Sequence, residues 1–336
     1  MDVTNKEKYA TPCWGKDIAR NLYHRTPFLR HFLTSLQPAW QRYTTRIHLQ
    51  EMQVKLYRMQ ESGVQRPARS TPRLVVSLSS HPPSIRQAYA AIYTLLTQSL
   101  KPDIVVLWLA EEEFRYKEYD LPDELLHLCQ FGLTIRWCEN LQSRKKVIPS
   151  LREYPEDIVV VADDDMLYSP HWLEGLFAAY KKQPTCIHAR TVYRSFFKGE
   201  FHHWIRHGPF LEFDKDAPPS LLYVPLTSCG ILYPPHVLHT DVFRMDIAMK
   251  IAPYDEETWC WVMAVLKGTR IHALVGGWKE LKQLYLSNPI SRSPMGLFIR
   301  QSTAVVNAYP QVHDLLAEEE RAHPETPFLD PREGKR

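Results

Sequence analysis

The sequence predicts an α/β fold in which a sheet is covered by helices on both faces. From residue 73 onward, short apolar runs alternate with helical patterns, and this spacing is typical of strand–helix units. The run Ile158–Val161 has four branched apolar residues in succession and is typical of a buried strand. Three carboxylates, Asp163, Asp164 and Asp165, follow that strand almost directly. With 336 residues, the chain is long enough to bury a full core around such a sheet.

The predicted strands and helices follow one another in a regular order along the chain. An aperiodic stretch over residues 195–222 predicts a functional loop or lid. The strands are predicted at 74–78, 104–109, 133–137, 158–161, 230–233 and 270–274, and the helices at 85–96, 122–131, 144–151, 170–182, 257–267 and in part of 279–318. The domain division that follows is a helical extension over 1–70, a catalytic domain over 71–275, a helical segment over 276–318 and a disordered tail over 319–336.

The three consecutive aspartates predict a metal site. Adjacent buried carboxylates repel one another, so a cluster at the end of a core strand requires a compensating cation. Mg²⁺ and Mn²⁺ prefer carboxylate and phosphate oxygens, and Asp163 and Asp165 are the predicted ligands. His239 or His188 is a candidate third ligand. The alternative is a solvated acidic turn that caps the following helix.

Two further charged motifs accompany the aspartates. Arg144, Lys145 and Lys146 precede a short predicted helix, where they could hold phosphate oxygens or form a solvated basic turn. The run Asp255–Glu257 opens an apolar helix, so its acids are either general-base candidates or ordinary first-turn acids. Trp259 and Trp261 follow them and could stack on a sugar ring or belong to the core.

Composition excludes several classes of protein. A net charge of +3 is too small to indicate nucleic-acid binding. Six cysteines without a Cys-x-x-Cys pair predict reduced thiols, with neither zinc nor a disulfide framework. The sequence shows no hydrophobic signal core and no apolar run approaching the roughly 20 residues of a membrane span. We therefore expect a soluble or peripheral protein in the cytoplasm.

The N-terminal segment is basic and aromatic. Beyond Pro38, one helix of about 25 residues is predicted, with a single apolar stripe. Three interpretations of residues 16–62 compete: docking of the stripe on the catalytic domain, which is favoured, helix pairing in an oligomer, or contact of the basic-aromatic part with an anionic membrane surface. Residues 63–72 are predicted to be a linker. The stripe consists of Trp40, Tyr43, Ile47, Val54 and Tyr57.

Over residues 73–275, the order of motifs resembles that of bacterial glycosyltransferases of the GT-A, family-2-like type, which are found with surface-polysaccharide genes. The motifs that carry the resemblance are Leu74–Pro83, Tyr93–Asp103, Lys145–Lys146, Asp163–Asp165, Tyr168–Leu173, Gly230–Pro235 and Glu256–Trp261.

The resemblance implies a GT-A fold, which is a Rossmann-like nucleotide-sugar domain with a mixed sheet, and an Asp-x-Asp metal signature at the triplet. It implies a nucleotide-diphosphate sugar as donor, Mn²⁺ or Mg²⁺ as cofactor, and a glycan or lipid-linked hydroxyl as acceptor. Transfer of a hexosyl or similar group is expected to invert the anomeric centre, in polysaccharide or lipopolysaccharide synthesis at the inner face of the cytoplasmic membrane.

The resemblance also assigns the candidate residues to roles. One departure is the pair Glu256–Glu257, because relatives usually carry Asp-Asp or Glu-Asp there. The base is therefore open among Asp255, Glu256 and Glu257, of which Glu257 is the preferred candidate and Glu256 the runner-up. A second is the acceptor loop 226–230, which is poorer in glycine than in relatives. The implied sites are donor residues Ser79, His81, Arg86, Lys145, Lys146, Asp163 and Asp164, acceptor residues Trp259, Trp261, Ser228 and Gly230, and metal ligands Asp163, Asp165 and His239.

Two rival functions remain open at this point. Nucleotidyl or phosphoryl transfer onto a sugar also uses carboxylate-bound metal, although the chain lacks a Gly-x-x-x-x-Gly-Lys loop. A non-catalytic glycan-binding protein of the same fold is the other possibility.

Overall fold

The structure is a computed structural model that describes residues 27–195, 218–275, 281–285 and 295–323. The strands are β1 (Leu74–Ser79), β2 (Ile104–Ala110), β3 (Leu133–Cys138), β4 (Ile158–Val161), β5 (Met166–Tyr168), β6 (Ile187–Ala189), β7 (Val192–Arg194), β8 (Tyr223–Pro225), β9 (Ile231–Tyr233), β10 (Ile271–Ala273) and β11 (Leu281–Gln283). The α-helices are α1 (Pro27–Leu56), α2 (Ile85–Leu96), α3 (Asp123–Cys129), α4 (Ile148–Glu153), α5 (Trp172–Lys182), α6 (Met245–Ile251), α7 (Glu256–Lys267), α8 (Met295–Ala308) and α9 (Gln311–Ala322).

Seven strands form one mixed sheet in the order β10-β6-β9-β4-β1-β2-β3. Strand β1 is parallel to both β2 and β4, and β2 is parallel to β3. Strand β9 is antiparallel to β4 and β6, while β6 and β10 are parallel. Two antiparallel pairs, β5 with β11 and β7 with β8, lie outside this sheet. The parallel strands β1, β2 and β4 therefore end at one edge, where ligands bind in open α/β sheets.

Helices cover both faces of the sheet, as predicted. Alternate side chains of a strand point to opposite faces, and Val75 and Val76 of β1 accordingly belong to two separate hydrophobic clusters. Helices α7 and α9 contribute to the cluster around Val75. Helices α1, α2, α3 and α5 contribute to the cluster around Val76. The fold is thus a mixed α/β sheet flanked by helices.

Helix α1 differs from its prediction in two ways. It begins at Pro27 and continues through Pro38, where the sequence predicted a start. The stripe from Trp40 to Tyr57 was favoured as the docking face, and this is wrong, because the buried residues Thr45, Met52 and Leu56 lie on the opposite side.

The predicted linker 63–72 is held against the domain. The Gly63 amide donates to the Phe131 carbonyl, and the Arg69 guanidinium pairs with buried Asp103 at 2.9 Å. These contacts attach the connection to the amino-terminal side of the sheet, so it is not a free spacer.

Helix α9 changes the predicted C-terminal boundary. It runs to Ala322, and buried Glu319 accepts hydrogen bonds from Ser220 and Leu221 and pairs with Arg270. Residues 319–322, predicted to open a disordered tail, are therefore helical. Residues 1–26, 324–336 and most of the predicted loop 195–222 lie outside the described residues. Within the described part of the chain, no helix combines the length and apolarity that crossing a bilayer requires.

Candidate active site at the carboxyl edge of the sheet

The three aspartates follow β4 and point to three different partners. Asp163 Oδ1 accepts from Lys146 Nζ at 2.5 Å. Asp164 Oδ2 accepts from the Ser80 hydroxyl, just beyond the end of β1. Asp165 Oδ2 accepts a long bond of 3.3 Å from Gln283 Nε2 on β11. The triplet therefore connects the ends of β1 and β4 with the small β5–β11 sheet.

The aspartate cluster carries more negative charge than its neighbours neutralise. Burial raises the pKa of Asp164 to about 7, the Ser80 hydroxyl lowers it, and the charges of Asp165 and Asp163 raise it again. Burial and the charge of Asp163 together raise the pKa of Asp165 to about 6. Crowded carboxylate oxygens of this kind are the hard donors that Mg²⁺ and Mn²⁺ prefer. The donor set therefore fits a divalent cation.

The 3-10 turn Gln142–Lys146 places its two lysines in the site. Lys145 Nζ donates to Glu113 Oε2 at 2.5 Å and to the Ser80 carbonyl at 3.2 Å. Lys146 Nζ lies between Asp163 and Glu256, and its distance to Glu256 Oε1 is 3.9 Å. Burial acts to lower the pKa of Lys146, but the charges of Asp163 and Glu256 outweigh it and leave that pKa raised. Lys146 is therefore a fixed positive charge beside the triplet.

Arg144 does not join the lysines, which corrects its prediction as a phosphate ligand. Its side chain is fully buried and turns toward the loop that precedes α7. The two terminal nitrogens donate to the carbonyls of Ala252, Pro253 and Asp255 at 2.5, 3.0 and 2.8 Å. Arg144 thus ties the basic turn to the start of the helix that carries the acids.

The three acids at the start of α7 have different environments. Asp255 is buried and caps the helix, accepting from the Thr258 amide at 3.0 Å and from Ser302 at 2.6 Å. This structural role corrects its candidacy as a base.

Glu256 and Glu257 remain in the site. Neither carboxylate oxygen of Glu256 accepts a hydrogen bond among the described residues, and its exposed fraction is only 3%. Glu257 is half-buried, and its Oε1 accepts from the amide and hydroxyl of Thr227 at 3.1 and 3.2 Å. Burial raises the pKa of each of the two glutamates to about 7.

The β1 end of the site lies beside a cavity. Ser79 closes β1, and half-buried His81 follows in the loop that leads to α2. Burial lowers the pKa of His81, while the charge of Glu113 raises it and that of Lys145 lowers it. Arg86, which is exposed, and Glu113, which is partly buried, both line a cavity of about 390 Å³. Of the predicted donor residues, Arg86 lines this cavity, and Glu113 connects the cavity to Lys145 of the lysine turn.

Most of the predicted acceptor residues are structural. Trp259 and Trp261 are fully buried, and their indole nitrogens donate to the carbonyls of Val242 and Leu221, so stacking on a sugar is excluded. Gly230 is also buried, with φ of 102°, and a Cβ there would lie 2.4 Å from Trp172 Cζ2.

Ser228 alone of the four acceptor candidates remains half-exposed. It is next to Thr227 in a 3-10 turn, and Thr227 is the residue that holds Glu257. The loop 227–229 is thus next to the acid, although the aromatic residues expected beside it belong to the core.

The histidine predictions for the metal are wrong. His239 caps a 3-10 helix by accepting from the Asp241 amide, and its own amide donates to Met263, about two turns along α7 from the acids. His188 lies in β6, where its Nδ1 is 3.1 Å from His272 Nδ1. Across the described ranges, no group of three or more His, Cys, Asp and Glu side chains is arranged to hold a metal alone. A cation here would need donor oxygens from a ligand.

Sequence reasoning missed several residues that contact the site. Ser80 and Glu113 follow β1 and β2, and strand-end position was the available signal for both. Gln283 had no signal, because it reaches the site through β11. Thr227 lies in the acceptor loop 226–230, but nothing in the sequence indicated its contact with Glu257. Tyr168 also escaped notice, although its hydroxyl accepts from the Asp163 amide at 2.7 Å and fixes the backbone of the triplet.

Comparison with known proteins gives only distant matches. No protein-family model matches the sequence, and no curated protein does. Similar solved structures include S. aureus TarS 1–349 (14% identity, TM-score 0.40, 61% of this chain and 58% of that chain), the same protein in complex with UDP-GlcNAc (15%, 0.42, 78% and 76%), and the mannosyltransferase PcManGT from Pyrobaculum calidifontis in complex with GDP-Man and Mn²⁺ (11%, 0.40, 88% and 89%). In the first of these matches, the chain therefore spans less than two thirds of TarS 1–349. Similarity at this level leaves function to be argued from the side chains described above.

Proposed function

We propose that this protein is a metal-dependent glycosyltransferase of the GT-A type. It moves a hexosyl or similar group from a nucleotide-diphosphate sugar to a glycan or lipid-linked hydroxyl in surface-polysaccharide or lipopolysaccharide synthesis. The observation that carries the proposal is the row Asp163–Lys146–Glu256, which joins the aspartate triplet to the acids of α7 at the edge where parallel strands end.

The donor's diphosphate is assigned to the space between the triplet and the lysine turn. Asp163 and Asp165 would hold Mg²⁺ or Mn²⁺ together with phosphate oxygens, since such ions are typically held by one or two carboxylates plus substrate phosphates. The bound cation supplies charge neutralisation for the departing diphosphate. Lys146 contributes a fixed positive charge at the same place.

The nucleotide base is assigned to the cavity beside Arg86 and His81. The carboxylates of Glu112, Glu113 and Asp120 line this cavity and can accept hydrogen bonds, and Glu113 also pairs with Lys145 of the lysine turn. This arrangement leaves the sugar directed toward the start of α7.

Glu257 is the proposed general base. It is half-buried, so an acceptor can reach it, and Thr227 orients its carboxylate as a third group orients the base in other enzymes. The acceptor hydroxyl proton passes to Glu257 as the oxygen bonds to the anomeric carbon. The bond from that carbon to the phosphate oxygen breaks, and its electron pair leaves with the nucleoside diphosphate. Attack from the opposite face inverts the anomeric centre.

A thermal-shift screen of nucleoside diphosphates, with and without Mn²⁺, tests the donor site. A ligand that binds only the folded chain raises the melting temperature by an amount set by its concentration and affinity. We expect one nucleoside diphosphate to stabilise the protein when Mn²⁺ is present and much less without it.

Product analysis then separates the rival functions. A sugar transferase releases a nucleoside diphosphate, whereas nucleotidyl transfer releases pyrophosphate. Glycan binding without any nucleotide-dependent stabilisation would contradict the proposal and favour a non-catalytic protein of the same fold.

A further inference from the structure

The outer face of helix α1 carries a stripe of exposed apolar and aromatic side chains. Trp40, Tyr43, Ile47, Val54 and Tyr57 are 65, 58, 44, 53 and 55% exposed. At roughly 100° per residue, these five positions fall within an arc of about 100° on the helix. We propose that this outer stripe binds an anionic membrane surface.

The other side of the helix fixes the direction in which the stripe points. Met52 and Leu56 are buried in the cluster shared with α2. Polar contacts hold the same side: the Tyr89 hydroxyl donates to the Leu49 carbonyl at 2.8 Å, and Gln53 Nε2 donates to Glu124 at 2.8 Å. The helix therefore cannot turn its stripe inward without breaking its attachment to the domain.

The charges around the outer stripe favour an anionic partner. Arg42, Arg46 and Arg58 are exposed near it, whereas exposed Lys55 pairs with Glu51 at 2.6 Å. Farther along the sequence, Glu61 is 3.7 Å from Lys101.

Basic side chains gather at one end of the outer stripe. A cavity of about 420 Å³ at the end of the stripe is lined by Lys55, Arg58 and Lys101, among others. Tryptophan and tyrosine concentrate at the boundary between headgroups and acyl chains, because their rings have an apolar body and a polar edge. Basic side chains beside them are attracted to anionic lipids.

A second copy of the chain is a less suitable occupant of the same face. Stripe-to-stripe pairing would bring Arg42, Arg46 and Arg58 of both copies close together, and like charges in contact oppose association. The charge on the helix therefore selects an anionic bilayer over a second copy. This inference does not depend on the sugar-transfer proposal, because lipid binding is measured without turnover.

Vesicle flotation with the full chain tests the inference. The probes are vesicles of phosphatidylcholine alone and of phosphatidylcholine with about 30% phosphatidylserine. We expect binding to the anionic vesicles only, and weaker binding at high salt because screening shortens the reach of the charges. Trp40→Ser/Tyr43→Ser/Tyr57→Ser should reduce the bound fraction at least tenfold.

The control variant is Tyr119→Ser/Tyr254→Ser, which removes two rings that are 95 and 57% exposed elsewhere on the surface. It should bind anionic vesicles as the unsubstituted chain does, and both variants should keep its melting temperature. Light scattering measures whether the chain instead forms a dimer through the outer stripe. Absence of vesicle binding, equal binding by the triple variant, or a dimer that the triple variant dissociates would each overturn the inference.

Discussion

Lys146 Nζ lies 2.5 Å from Asp163 Oδ1, in a pair whose lysine side chain is only 8% exposed. The same nitrogen is 3.9 Å from Glu256, so one cation serves the aspartate triplet and the start of α7. Removing one member of a buried ion pair leaves an uncompensated charge, which is far more costly than the net contribution of the pair. This relationship makes the edge of the sheet sensitive to Lys146.

We expect Lys146→Met to reduce the free energy of unfolding by about 3–5 kcal/mol, because Asp163 and Glu256 lose their cation. Adding Glu256→Gln should restore part of the loss, since one unpaired carboxylate is then neutral. A double-mutant cycle in urea measures the coupling, which we expect to exceed about 1 kcal/mol. Lys250→Met, on the exposed end of α6, is the control and should change stability little. Strict additivity would mean that Lys146 does not compensate Glu256.

Asp165→Asn tests the metal assignment. The substitution removes a charge from a crowded triplet, so folding should be unchanged or slightly improved, while transfer should be abolished. Release of nucleoside diphosphate and the melting temperature measure the two effects separately. Asp246→Asn, which alters an exposed pair with Arg244, is the control for general effects of the change. Near-normal turnover of Asp165→Asn would remove Asp165 from the metal site.

Glu257 predicts the acid limb of the pH–rate profile. A base must be deprotonated, and its pKa is raised to about 7, so kcat/KM should rise with pH through about 7 and fall about tenfold per unit below about 6. Glu257→Gln should lower kcat by about 10²- to 10⁴-fold and leave donor binding nearly unchanged.

Glu256→Gln is the matched comparison for the base. It changes the neighbouring carboxylate, whose pKa burial also raises to about 7, without touching the Thr227 contacts. We expect this variant to retain the acid limb. If it loses that limb while Glu257→Gln keeps it, Glu256 is the base.

The sheet and the charged motifs were predictable because each has a local sequence signal. The run Ile158–Val161 is continuous and apolar, so its strand was found with the correct bounds. The contact of the aspartates with the lysine turn has no such local signal, because the turn follows β3, which β1 and β2 separate from β4 in the sheet. By contrast, β6, β7 and β8 have three residues each and were not predicted, whereas the equally short β9 and β10 lie within the predicted strands 230–233 and 270–274.

Orientation was not predictable where two faces of an element were chemically similar. Helix α1 has apolar residues on opposite sides, and the domain buries Met52 and Leu56 while Trp40 and Tyr57 stay outside. Trp259 and Trp261 follow the acids in sequence, yet α7 is buried nearly all round and carries both rings into the core. Which face of a helix is buried therefore depends on residues that are far away in the chain.

The contacts of Arg144 predict that its replacement lowers both stability and kcat. Arg144→Met leaves three carbonyls ahead of α7 without their donor, and each such loss costs roughly 1–3 kcal/mol, so we expect about 3–5 kcal/mol lower stability. Arg144→Lys keeps the charge but has fewer hydrogen-bond donors, so its stability should lie between that of the unsubstituted chain and that of Arg144→Met. Both should lower kcat more than donor affinity, because the acids shift while the triplet remains. Arg152→Met, at an exposed arginine, is the control, and equal effects at both arginines would contradict the assignment.

The buried pair His188–His272 predicts a pH-dependent stability. Burial lowers the pKa of His188 to about 4, below the ordinary 6.5, so the folded chain keeps this imidazole neutral while the unfolded chain protonates it. The contribution of the neutral His188 imidazole to folding stability is complete above about pH 6.5 and is lost as pH falls toward 4. His272 and the Gln183 carbonyl face the His188 imidazole.

The buried glutamates of α7 change stability in the opposite direction as pH falls, so the measurement compares variants. His188→Asn should show a smaller fall in melting temperature from pH 7 to 5 than the unsubstituted chain. His171→Asn, at a 74% exposed imidazole, should show the unsubstituted slope. Equal slopes for His188→Asn and the unsubstituted chain would mean that His188 does not titrate on unfolding.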